Sequence, residues 1–272
     1  MTFIDQFVRC HHLALTPEEW RLCRQAASIM ASSVDPFHDC SHISRMLDSL
    51  NEFMGTDEFR KIAGRVDLKT LLLAILWHDC WRAAKDVKRP LSLFWLTLYE
   101  GIGAGRYFAN AARDAGIEKA LRLKVSYAIR KHSRFQVLPI VTLEAKILRM
   151  VDALDMFNPD RANLLKKRFL FEQPIKRSTY RAGVLVFRLF CAKDPKAIYG
   201  WSREISLLRK QYAAYGLHVL GEYKLLCDLL RERQYQQFDE MLEALREKYD
   251  REPEFMTDEN CAFGALTAEH SW

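Results

Sequence analysis

The stretch Leu71–Trp77 is seven consecutive apolar residues, and it ends directly on a histidine and an aspartate. Seven residues fall far short of the roughly 18 that a membrane span needs, and the chain has no longer apolar run. Leu68–Trp77, apolar apart from Lys69 and Thr70, therefore predicts a helix buried on all sides in the middle of a core. The rest of the chain has to supply amphipathic partners that wrap it.

Those partners are legible as helices. Thr16-Pro17-Glu18-Glu19 has the form of a helix start, with Thr16 as cap, Pro17 in the first turn and Glu19 closing a capping box. Trp20, Cys23, Ala27 and Met30 then recur at helical spacing, as do Ile43, Met46, Leu47, Leu50, Phe53 and Met54. Further helices are predicted near Leu91–Ala115, Ile117–Lys131 and Val141–Met156, and later over Thr179–Phe190, Ser202–Arg231 and Gln234–Tyr249. Gly101, Gly103 and Gly105 are expected to break the first of these. No stretch sustains the period-two alternation of a strand. The fold class is all-α, with a helical core over 1–160 and a helical C-terminal extension over 161–272 that packs on it or forms a small subdomain.

Of the 272 residues 49% are hydrophobic and 12% aromatic, which excludes a mainly disordered chain. Seven scattered cysteines without a CxxC pair read as reduced thiols rather than a disulfide framework. The N-terminus lacks the basic start and apolar stretch of an export signal, so a soluble cytoplasmic protein with no membrane partner is expected. Charge is unevenly spread. Residues 160–211 carry 13 basic against four acidic side chains, and residues 212–272 carry six against 13. Aromatic residues interleave the basic segment, so it could line a nucleotide pocket, pair with the acidic tail or, less favoured, follow a nucleic acid.

Four segments carry chemistry. His78-Asp79 at the end of the apolar run is costly to bury unless something satisfies both groups, and a divalent cation satisfies both at once. The competing reading is that Asp79 caps a following helix while His78 donates to a carbonyl. Asp152 lies about 100° round the helix from Val151, beside the stripe Leu143, Ile147, Val151 and Leu154, whereas Asp155 is expected nearer the surface. His38 and His42 stand four residues apart, compatible with a shared face. Ala128–Ser133 contributes His132. Cys40 and Cys80 are disfavoured as ligands, because thiolates suit a hard nitrogen and oxygen site poorly.

The order His42, His78-Asp79, Asp152 resembles the HD superfamily of metal-dependent phosphohydrolases. His42-Ile43-Ser44-Arg45-Met46 is similar to the family's first histidine with its following Arg-apolar pair. Leu71–Asp79 is similar to its apolar helix ending in His-Asp, and Met150–Asp155 to its last aspartate with a second acid one turn on. The resemblance spans residues 16–160. It implies an HD-type helical bundle in which His42, His78, Asp79 and Asp152 bind one divalent cation, with Mn, Fe, Co, Ni and Mg all compatible. It also implies a small phosphorylated metabolite or nucleotide as substrate, attacked by metal-activated water. Two-metal members place two further histidines between the His-Asp pair and the last aspartate. Here His132 alone lies between His78 and His218, and Tyr99-Glu100-Gly101 falls where the first would be, which argues for a single ion unless Glu100 replaces a histidine.

Lys85 and His132 are the favoured substrate contacts among nearby basic residues that include Arg82, Lys88, Arg89, Arg130, Lys131 and Arg134. Asp86 and Glu100 are the candidate general acid or base, and His38 the candidate orienting residue. A non-catalytic nucleotide- or RNA-binding regulatory module on the same core is the alternative. Oligomeric state leaves no readable signal.

Overall fold

Capping, periodicity and burial place the helices. The computed structural model describes residues 2–33, 35, 38–85, 90–132, 139–155, 161, 175–177, 180–181, 184 and 219–251. Two compact units divide the chain, Met1–Asp155 and Met156–Trp272. The described residues are helical with no strand, so the fold is all-α.

In the first unit α1 runs Phe3–Cys10, α2 Pro17–Ala31, α3 Cys40–Met54 and α4 Asp57–Arg60. After these come α5 Leu68–Trp77, α6 Cys80–Ala83, α7 Pro90–Asp114, α8 Lys119–His132 and α9 Leu143–Asp155. The capping box at α2 has both arms: the Glu19 amide donates to Thr16 Oγ1 at 3.3 Å, and the Thr16 amide donates to Glu19 Oε2 at 2.7 Å. Helix α1, absent from the periodicity reading, carries the same device, Thr2 paired with Asp5. Its eight residues give too short a window for a periodic signal, although Ile4, Phe7 and Val8 do form a buried stripe.

Helix α5 is the hub. Every residue from Thr70 to Trp77 is buried, and α5 packs against α2, α3, α6, α7, α8 and α9. An element with apolar side chains on all sides is stable only when surrounded. Asp67 caps it, accepting the Thr70 amide at 3.1 Å.

The expected break at Gly101, Gly103 and Gly105 is not observed, and α7 runs unbroken through them. Close approach is what two of these glycines serve. A Cβ on Gly103 would stand 2.6 Å from the indole of Trp81 in α6, and one on Gly105 would stand 2.6 Å from Cγ of Arg130 in α8. No described helix is long and apolar enough to cross a membrane.

In the second unit residues 219–231 are helical and a further helix covers Tyr235–Arg251. The Tyr223 hydroxyl accepts the Lys176 amide at 3.0 Å, and Lys248 pairs with Glu222 at 3.1 Å. Most of the basic segment 160–211, with the greater part of the Thr179–Phe190 stretch, lies outside the described residues.

Gly103→Ala is expected to lower stability by about 1–3 kcal/mol, because the indole it meets is rigid. Gly64→Ala, where a Cβ meets nothing within 4 Å, should stay within about 0.5 kcal/mol of the parent. Urea midpoints at a shared slope test the pair.

Candidate metal centre

Helix α5 continues in helical geometry through His78, whose amide still donates to Ala74 at 3.0 Å. The chain then turns at Asp79 to start α6. The Asp79 side chain makes no cap hydrogen bond to α6, so capping does not explain it. The carboxylate turns instead into the bundle, where it is buried among histidines.

Helix α3 delivers His42 from its first turn. Asp39 caps that turn, accepting the Ser41 and His42 amides at 2.9 and 3.1 Å. Helix α9 delivers Asp152 and Asp155, and α8 delivers His132 from its last turn.

Four histidines share one arrangement. Nδ1 of His78 donates to the Ile75 carbonyl at 2.7 Å, and Nδ1 of His132 donates to the Ile129 carbonyl. Nδ1 of His38 contacts Asp35 Oδ2 at 2.8 Å, and Nδ1 of His42 contacts Asp155 Oδ2 at 2.7 Å. With Nδ1 as donor, the lone pair of each neutral ring sits on Nε2.

Three of those Nε2 atoms surround a single oxygen. Asp79 Oδ2 lies 3.1 Å from His78, 3.4 Å from His42 and 3.7 Å from His38. The Nε2 atoms of His42 and His78 are themselves 3.2 Å apart. Asp152 Oδ1 lies 3.9 and 4.0 Å from the same two nitrogens. Ligand atoms held at about 2.1 Å from one ion stand about 3 Å apart when adjacent. His42, His78 and Asp79 meet that spacing, and Asp152 approaches it from the more exposed side. The two Nε2 atoms can share a proton, and when both are unprotonated their lone pairs repel unless a cation lies between them, so this donor set fits either.

The electrostatics agree. Burial opposes a charge on His78, but the Asp79 and Asp152 carboxylates outweigh it and raise the imidazole to about 9. Burial likewise opposes ionisation of Asp79, yet His78 and His38, with hydrogen bonds from His42 and His78, hold its carboxyl well below the usual carboxylate range. Asp152 is held low against burial by His78 and His132. The same field attracts a proton or a metal ion.

An outer set of groups holds this inner one. Asp155 is fully buried, contrary to the expectation that it lies near the surface. It receives Nδ1 of His42 and both Nε and Nη2 of Arg45. A carboxylate that fixes a histidine's tautomer and aim is a common companion of metal-binding imidazoles. The i, i+3 step from Asp152 to Asp155 turns the second acid toward α3, and α3 packs directly on α9. Asp35, which sequence reading did not single out, performs the same office for His38. Its only local signal was its position three residues before that histidine.

Of the remaining candidates, His132 is buried with its ring 5.0 Å from that of His78, edge to face. Glu100 accepts from Arg82 Nη1 at 3.1 Å. Burial and the Asp79 charge push the Glu100 carboxyl up, against the pull of Arg82 and His132. Lys85 places its ammonium over the Trp81 ring, 3.7 Å from the centroid, so its charge is directed at an aromatic face. Asp86, Lys88, Arg89 and Arg134 lie outside the described residues. Burial raises the thiols of Cys40 and Cys80, with Asp39 and Asp79 adding to it, and each donates to a backbone carbonyl. They remain protonated, leaving a nitrogen and oxygen donor set. No protein-family model, curated protein or solved structure matches the chain.

Asp155→Asn is expected to weaken divalent-metal binding about 10–100-fold by loosening His42. It should also cost about 3–5 kcal/mol by breaking the buried pair with Arg45. Calorimetric titration and thermal unfolding measure the two effects separately.

Proposed function

We propose that this chain is a metal-dependent phosphohydrolase of the HD type, with His42, His78, Asp79 and Asp152 holding one divalent cation. The observation that carries the reading is the meeting of two imidazole Nε2 atoms and two carboxylates, from α3, α5, the α5–α6 joint and α9, in a buried cluster. Nitrogen and oxygen donors suit Mn²⁺, Fe²⁺, Co²⁺, Ni²⁺ or Mg²⁺ better than a thiolate-rich zinc site would. A bound ion of this kind acidifies water and withdraws charge from a phosphoryl oxygen.

The chain's own residues supply the remainder. Asp155 and the Ile75 carbonyl hold His42 and His78 as Nδ1 donors, so both present Nε2 inward. His132, whose Nδ1 donates to the Ile129 carbonyl, is the proposed contact to the substrate beside the ion. Asp152, the most exposed of the quartet, marks the side from which a phosphate reaches the cluster. A small phosphorylated metabolite or nucleotide is the proposed substrate.

The test is a phosphatase screen on nucleotides and small phosphate esters with added Mn²⁺, Co²⁺, Ni²⁺ or Mg²⁺. Phosphate release should require metal, cease on chelation and fall about a thousandfold or more in Asp79→Ala, the loss of several kcal/mol of transition-state stabilisation. Salt-sensitive RNA or nucleotide binding with no metal-dependent hydrolysis would favour the regulatory module instead.

A further inference from the structure

A second group of ligand atoms adjoins the first. His38, Asp79 and Glu100 each offer one such atom, all within 4.8 Å of one another, and Asp79 belongs to both groups. His38 enters this group as His42 enters the other, with Nδ1 held by a carboxylate and Nε2 facing Asp79. Glu100 is anchored by Arg82 through Oε1, and a carboxylate carries a second oxygen. Arg82 Nε also stands 3.5 Å from Asp35, an ion pair without a hydrogen bond, so one guanidinium sets its charge beside both the Glu100 carboxylate and the group that orients His38. Ligands held by their own outer partners are what a built cation site contains.

Charge balance points the same way. Of Asp35, Asp79, Glu100, Asp152 and Asp155, Asp155 is paired with Arg45, and Glu100 and Asp35 share Arg82. With neutral imidazoles and ionised carboxylates, the two guanidiniums leave more negative charge than one divalent ion offsets. A phosphate dianion entering such a buried site would be poorly compensated, and a further divalent ion supplies the missing charge.

We propose that His38, Asp79 and Glu100 form a second divalent-cation site sharing Asp79 with the first, so that the centre holds a pair of ions. The ligand set is a histidine and a glutamate rather than the two additional histidines whose absence from the sequence suggested a single ion. The inference rests on the reading of His42, His78, Asp79 and Asp152 as a cation site.

Manganese titrated into the metal-stripped, full-length protein tests it, with equilibrium dialysis and elemental analysis for stoichiometry and electron paramagnetic resonance for ion proximity. Uptake should saturate at two equivalents, and the hyperfine-split signal of an isolated ion should give way to a broad, spin-coupled signal as the second enters. Glu100→Gln, which keeps the side chain's shape, and His38→Ala should each lose the coupled signal and saturate at one equivalent, with helical circular dichroism confirming that they fold. Saturation of the parent at one equivalent, or a second equivalent that survives both substitutions, overturns the second site and leaves the first intact. Absence of uptake by the parent overturns both.

Discussion

An imidazole and a carboxylate stand where the apolar run Leu71–Trp77 ends, inside the core, and this one placement constrains the surrounding structure. Removing such groups from water costs several kcal/mol each unless hydrogen bonds and charge replace the solvent. The replacement is built in layers. Nδ1 of His78 is satisfied by its own helix at Ile75, Nε2 meets Asp79, and the imidazoles of His42 and His38 close on the same carboxylate oxygen. Each added imidazole brings a lone pair as well as a contact. The cluster is therefore suited to positive charge at its centre, a proton or a cation.

The arginines show how that demand is confined. Arg45 is bound to Asp155, and Arg82 pairs with Glu100 and with Asp35. Guanidinium groups thus pair with acids around the cluster, while Asp79, in the middle, has three imidazoles about one of its oxygens. A rigid guanidinium fork cannot be deprotonated and pairs with planar carboxylates, so these arginines keep their charge whatever happens inside. Nearby thiols take no part, because burial and adjacent carboxylates keep Cys40 and Cys80 protonated. The donor set is consequently imidazole nitrogen and carboxylate oxygen, which could hold a divalent metal.

The helices that frame the centre are set close by glycine. The three glycines of α7 were expected to break it, since glycine is a poor helix former. Gly103 and Gly105 instead lie where Trp81 and Arg130 leave no room for a Cβ. Burial against α6 and α8 outweighs the intrinsic penalty of about 1 kcal/mol per glycine. Propensity describes an isolated helix, and the partner that decides the matter is remote in sequence.

Where the chemistry depends on neighbours in the chain, the sequence alone determined it. The apolar run made Leu68–Trp77 a central helix, Thr16 with Glu19 set the start of α2, and helical geometry sufficed for His78 and His132 to find carbonyls three residues back. These are contacts within a turn, where spacing is geometry. Only the packed structure decided that Asp155 is buried beneath His42, that Arg82 joins Asp35 to Glu100, and that three imidazoles share one oxygen of Asp79. Apart from His78 beside Asp79, each of these brings together side chains distant in the chain, up to 113 residues apart. Their meeting depends on how α3, α5, α6, α7 and α9 pack, which no local pattern encodes.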